Sequence, residues 1–381
     1  PAEYAVASIN ELELPITLEP VQSMIFVVDE NAEPAQKEPG SAACKGQHDQ
    51  WMLMKSYTAS PNETSAAPDR SNVLVIDHCD LRIGRKQFEN VHVLRAQKFV
   101  FNHHGFNNNP WADAVQYKSR LLERNAEYGP DSGYEAAYRF SIADPLTSFG
   151  AVRDIKLITE WPEFMQVSVN GIPVTKAFER SIMDHRFGEW DIADFIRQGE
   201  NVVTITVKPF QLFAELEAVY IRGDFSVKPM NGKWAVCKPE PLTIGSWTKQ
   251  GYPFYDGAFI YSSTFEVDQA ADRFQLYLPE WSGGVASVKV NGEDAGLIGA
   301  GNRHRIDVTK AVKQGINDVE VRVSGTFKNV FGPHFDPKRP RNTAWPGMWN
   351  HFPKHGNSAD EYDMIDYGLF SPMRLEAWSS K

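Results

Sequence analysis

Val167–Gly171 reads VSVNG, and Val288–Gly292 reads VKVNG. Each alternates apolar and polar residues and runs into Asn-Gly. That pairing marks a two-residue hairpin, because both residues tolerate positive φ in a type I′ turn. The surrounding words recur as well. Glu160-Trp161 precedes the first copy and Glu280-Trp281 the second. WDIADFIRQGENVVTITV follows at Trp190–Val207, and RIDVTKAVKQGINDVEVRV at Arg305–Val323. The asparagines at 170 and 291 are 121 residues apart, and those at 201 and 317 are 116 apart. So long a repeat means two copies of one domain rather than a solenoid.

Within each copy, Asp191 or Asp307 can cap a single helical turn that Gly199 or Gly315 ends. Val202–Val207 and Val319–Val323 then alternate as strands with one buried face. DIKLIT at Asp154–Thr159 and RFQLYL at Arg273–Leu278 supply further period-2 strands. Short strands, close turn signals and little helical periodicity predict an all-β chain of two tandem β-sandwiches.

The expected boundaries follow. Residues 1–50 are the end of a preceding domain plus a polar linker, with 11–28 as two left-over strands. The first sandwich covers 51–228, with an insertion at about 87–133. A Pro/Gly-rich linker spans 229–240, and the second sandwich spans 241–381. In the insertion, Ala114–Tyr128 has helical spacing (Val115, Tyr117, Leu121, Leu122) and is the best helix candidate in the chain.

Composition narrows the function. The 381 residues are 42% hydrophobic, which excludes wholesale disorder. No apolar run approaches the roughly 18 residues that cross a bilayer. A net charge of −10 argues against nucleic acid and anionic membrane surfaces as partners. The start at Pro1, without Met or an apolar leader, suggests a processed chain or an excised fragment. Cys44, Cys79 and Cys237 are too few for a disulfide framework; one disulfide or three buried thiols both fit.

The pattern Tyr255-x-Gly257…Tyr261…Phe265, then Glu280-Trp281, Asn291-Gly292, Asp307…Thr309, Gly315-x-Asn317 and Tyr367-Gly368-Leu369, resembles the sugar-binding β-sandwich of family 2-type glycosidases. With Gly223-Asp224-Phe225 closing the first copy, residues 51–381 resemble the C-terminal region of large bacterial polysaccharide-degrading enzymes, rhamnosidase-like ones included. The resemblance implies jelly-roll, galactose-binding-like domains and a plant or microbial glycan as partner. It also implies an upstream catalytic domain on the same polypeptide and a periplasmic or extracellular location. Such modules are usually companions of a barrel, so the implied role is a non-catalytic, carbohydrate-associated region of a glycoside hydrolase. An independent carbohydrate-binding module and an adhesion scaffold without a sugar ligand are the competing readings.

No catalytic residue is expected. A glycosidase needs two carboxylates facing one bond, and Glu160 and Glu280 occupy equivalent places in separate copies. That recurrence assigns them a shared structural role. Nothing here supplies the roughly 250 residues of alternating strands and helices that a (β/α)₈ barrel needs, and no nucleotide or nucleophile motif occurs. No cofactor is expected. His103-His104 and His334, His351 and His355 lack a ligand spacing, while a structural calcium ion stays open and the metal question with it. The site-like stretch is Phe331–Asn357, a long aperiodic loop that the second copy has and the first lacks. Trp345 and Trp349 offer flat faces for sugar rings; Arg341 and His334 offer hydrogen bonds to hydroxyls or a uronic carboxylate. Trp111 and His104 in Phe99–Trp111 are the second set of candidates. The plainer alternative for both loops is packing against a neighbouring domain.

Overall fold

Alternation in the repeats becomes antiparallel sheet. The computed structural model describes residues 5–8, 11–13 and 51–380, apart from 113–117, 150–153, 182, 300–303, 335–347, 350 and 354–357. The chain is all-β, with few and short helices, and divides into two units. One comprises 66–260 and 324–368; the other comprises 1–65, 261–323 and 369–381.

In the unit holding the first copy, strands Lys156–Glu160, Phe187–Asp191 and Val219–Gly223 lie side by side in a five-stranded sheet edged by Asn72–Ile76. A larger sheet centres on Tyr134–Ile142, paired along its whole length with Gly199–Val207. Both sheets feed one apolar core, with Leu74, Leu157, Ile221, Ala136 and Val203 all buried. In the other unit, Val285–Val290 and Gly315–Ser324 share one sheet, and Arg273–Tyr277 and Arg374–Ser380 share a second.

Both Asn-Gly pairs form the expected hairpins. Asn170 and Gly171 have φ of 52° and 81°, and Asn291 and Gly292 have 53° and 83°. The asparagine side chains do more than turn the chain. Asn170 Nδ2 donates to the Phe195 carbonyl and to Asn201 Oδ1, at 2.9 and 2.8 Å. Asn291 Nδ2 donates to the Ala311 carbonyl and to Asn317 Oδ1, at 2.8 and 2.9 Å. The capped turns form too: Asp191 Oδ1 accepts from Ala193 N–H, and Asp307 Oδ1 from Thr309 N–H, both at 3.0 Å.

Three segments lie elsewhere than the sequence suggests. Trp51–Thr58 pairs with Arg374–Ser380, so it edges a sheet of the second copy's unit. Half-exposed alternation fixes a strand but not its partner. Lys233–Cys237, in the expected linker, pairs antiparallel with Ser226–Met230 and parallel with Tyr134–Ile142. The described part of 331–357 belongs to the first copy's unit, although it follows the second copy in sequence. Near the N-terminus, Ala5–Ser8 pairs with Glu11–Glu13, while 14–28 falls outside the described residues.

Among the described residues the longest helix is Val93–His103, within the insertion but ahead of the expected Ala114–Tyr128. Its buried residues, Val93, Leu94, Ala96, Gln97, Val100 and Phe101, include β-branched and aromatic types with weak helix propensity. Tertiary burial overrides that weakness. Of the expected helix, Lys118–Glu123 is helical and 113–117 lies outside the described residues. Gly257 is required by close approach: a Cβ there would sit 2.4 Å from Asp69 Oδ1, which also accepts the Tyr255 hydroxyl at 2.8 Å.

Cys79 and Cys237 are free, buried thiols, and Cys44 lies outside the described residues. No helix among the described residues is long and apolar enough to cross a membrane.

Candidate functional site

Three neighbouring strands of the five-stranded sheet deliver ionisable side chains to one cavity. Glu160 closes its strand opposite Phe187, which places Arg186 beside it. Glu217 lies just ahead of Val219–Gly223, the strand on the other side of Lys156–Glu160. These groups line a cavity of about 430 Å³, with Phe187, Tyr220, Phe331 and Trp349 as its aromatic wall. Asp77, His92 and His334 line another side, and Asp184 and His185 are the exposed members.

The acids form a linked set. Gln97 Nε2, from the helix, donates to Glu215 Oε2 at 3.1 Å and to Glu217 Oε1 at 2.5 Å. Asn109 Nδ2 donates to the same Glu215 oxygen at 2.5 Å. Burial pushes Glu215 up to about 7. It pushes Glu217 well above the usual carboxylate range, and the charges of Glu215 and Glu160 add to that. Burial also raises Glu160, with the Arg186 guanidinium opposing. That guanidinium lies 4.9 Å from the centre of the Trp161 ring. A second, much smaller space of about 10 Å³ touches Glu160, Glu215 and Glu217. Thr159 lines it; the residue is 2% exposed, and its hydroxyl has no hydrogen-bond partner among the described residues.

The histidine side is built differently. Asp77 Oδ1 accepts from the Tyr362 hydroxyl at 2.6 Å and contacts His78 Nδ1 at 2.8 Å. Its Oδ2 lies 3.7 Å from His92 Nε2 and 4.0 Å from His334 Nδ1. Burial opposes the Asp77 charge, yet the His78 hydrogen bond and the other imidazoles hold its carboxyl below the usual range. Burial lowers His92 and His334 to about 4, so both are neutral at physiological pH.

Among the residues singled out from sequence, Trp349 and His334 come together at this cavity. Trp349 is half-buried; His334 is buried, and its Nε2 donates to the Asn329 carbonyl at 2.7 Å. Trp345 and Arg341 lie outside the described residues. His104 and Trp111 do not line this cavity. His104 stacks on Phe210 at 3.8 Å and bonds the Val100 carbonyl at 2.8 Å. Trp111 stacks on Phe213 and donates Nε1 to the Leu212 carbonyl at 2.8 Å. Both are held by packing, because their polar atoms are used internally. No group of three His, Cys, Asp or Glu among the described residues is placed to hold a metal ion.

Sequence reading missed Glu215, Glu217, Asp77, His92 and Arg186, and treated Glu160 as structural. One signal was available. AELEAVYI at Ala214–Ile221 carries two acids in an otherwise apolar strand entry, and acids are rarely buried without a reason.

No family model matches the chain. A putative beta-glucuronidase from Formosa agariphila is 27% identical over an alignment 183 residues long that covers 39% of this chain and 16% of that protein. The chain therefore spans about a sixth of the curated relative it matches. Among solved structures, similarity extends to a rhamnosidase from Novosphingobium sp. PP1Y, 17% identical, covering 65% of this chain and 22% of that one, with a TM-score of 0.25. It extends also to a beta-D-glucuronidase from Dictyoglomus thermophilum, 14% identical, covering 72% and 41%, with a TM-score of 0.24.

Proposed function

We propose that this chain is the β-sandwich region of a glycosidase-related protein, and that the cavity beside Trp349 takes a saccharide. The observation that carries this reading is the cavity itself. It joins aromatic faces to a small set of convergent polar groups, the combination that fits sugar rings with their apolar faces and hydroxyl edges. The resemblance of the repeat to sugar-binding sandwiches and the partial likeness to a putative beta-glucuronidase support the same class. In this reading the sandwiches are galactose-binding-like and secreted to the periplasm or beyond. They serve a catalytic domain elsewhere on the polypeptide. The test is a glycan panel read by intrinsic tryptophan fluorescence. Trp349→Ala should weaken a bound saccharide several-fold in a variant whose urea transition shows it folded. If no mono- or oligosaccharide perturbs the fluorescence, an adhesion or scaffolding role takes its place.

A second reading has one observation in its favour: Glu160 and Glu217, both raised, share the cavity. Raised carboxyls suit general acid chemistry. Hydrolysis of an aryl glycoside by this chain, lost in Glu160→Gln or Glu217→Gln, would select that reading.

A further inference from the structure

Asp77 stands between two cavities, and its two carboxylate oxygens have different neighbours. Oδ1 accepts from the Tyr362 hydroxyl and meets His78 Nδ1. Both of those partners line a separate cavity of about 300 Å³. Oδ2 faces His92 Nε2 at 3.7 Å and His334 Nδ1 at 4.0 Å, and those two histidines line the cavity that holds Trp349. Both distances are too long for a hydrogen bond. Among the described residues the hydrogen bonds of the Asp77 carboxylate all go to Oδ1.

The proton on His334 is placed by its partner. Nε2 lies 2.7 Å from the Asn329 carbonyl, which can only accept, so Nε2 carries the ring proton. Burial lowers His334 to about 4, so the ring is neutral and Nδ1 presents a lone pair. A Cβ on Gly332 would sit 3.0 Å from that same nitrogen, so glycine there leaves the lone pair uncrowded. The corner thus offers two acceptors 4.0 Å apart, on residues only 7% and 4% exposed. Buried acceptors without protein donors mark a place where other donors belong. One hydroxyl has one proton and satisfies one of them. A carboxylate or an ether has no proton to give, and would set further oxygen lone pairs against those already there.

We infer that this corner binds two adjacent free hydroxyls of a saccharide, one donating to Asp77 Oδ2 and the other to His334 Nδ1, with the sugar ring beside Trp349. This rests on the saccharide reading of the cavity and narrows it. The unit recognised is a sugar with an unsubstituted vicinal diol, and His334 does not hold a uronic carboxylate. Neighbouring ring hydroxyls diverge enough to reach acceptors at this spacing.

The experiment titrates the 381-residue chain by calorimetry with the methyl pyranosides of glucose, galactose, mannose and rhamnose, then with the 2-, 3- and 4-deoxy analogues of whichever binds. Removing the hydroxyl at either of two adjacent positions should weaken binding about ten-fold, and at the remaining position less than about two-fold. His334→Gln keeps an amide N–H for the Asn329 carbonyl and removes the Nδ1 acceptor. In a variant whose urea transition shows it folded, one of the two penalties should vanish and the other persist. The deoxy series is read on the unaltered chain, so it tests the inference even where the variant does not fold. Equal affinities across that series, or penalties at no two adjacent positions, would overturn the diol inference and leave the saccharide reading standing. Both penalties intact in folded His334→Gln would overturn the contact with His334. Failure of every saccharide to bind would overturn both readings.

Discussion

In the first copy, Asn201 is fully buried, with Nδ2 donating to the Arg197 and Gly199 carbonyls at 2.7 and 3.1 Å. In the second, Asn317 is equally buried and donates to the Lys313 and Gly315 carbonyls at 2.7 and 2.9 Å. Each Oδ1 accepts from a backbone N–H four residues back, Arg197 or Lys313, at 2.9 Å. Atom for atom, the two copies brace hairpin to turn in the same way. The Glu-Trp pairs diverge. Glu160 is half-buried beside a cavity with Glu217, whereas Glu280 is exposed and offers its backbone carbonyl to Phe370 and Ser371. A repeat preserves what the fold needs; a position shared by both copies need not share a role.

The largest expected effect probes the shared brace. Asn201→Ala and Asn317→Ala each remove a buried amide and orphan several backbone groups. Each should cost about 3 kcal/mol in urea unfolding of its own unit. Losses that differ between copies by more than about 1 kcal/mol would break the equivalence.

A smaller effect separates the copies by pH. His92 and His334 have folded pKa values of about 4, below the unfolded value near 6.5. The unfolded chain therefore binds more protons between those limits. Stability of the first copy's unit is present above pH 6.5 and lost in part as pH falls toward 4. Glu215 acts oppositely. Its folded pKa of about 7 lies above the unfolded value, so its contribution is full below pH 4.5 and lost as pH rises through 7. Urea midpoints across pH 4–8 should thus peak at an intermediate pH for this unit. Glu215→Gln should lessen the decline on the alkaline side, part of which remains because burial raises Glu217 and Glu160 too, and an alkaline decline unchanged in the variant would count against the assignment.

The smallest effect sharpens the contrast at the Glu-Trp pair. Glu280→Gln should change stability by less than about 0.5 kcal/mol, as exposed substitutions do. Glu160→Gln should leave the unit equally stable or slightly more so, while altering saccharide affinity. Equal, large destabilisation by both would restore a common structural role.

How much was legible follows from the range of each interaction. VSVNG and VKVNG carried their own answer, because φ preference and alternation are local: the hairpins, the capped turns and the all-β class follow from them. Trp349 and His334 stood out as an aromatic and a polar group in one long loop, a composition signal that needs no fold. The sequence by itself determined the repeat and its hairpins. Only tertiary structure decided that Trp51–Thr58 pairs with Arg374–Ser380, that Val93–His103 is helical, and that Glu160, Glu217, Asp77 and His334 meet at one cavity. Those four residues span positions 77 to 334, and no local preference encodes a contact across that separation. Burial of the strands between them brings three carboxyls and an imidazole together, and the same burial sets their protonation.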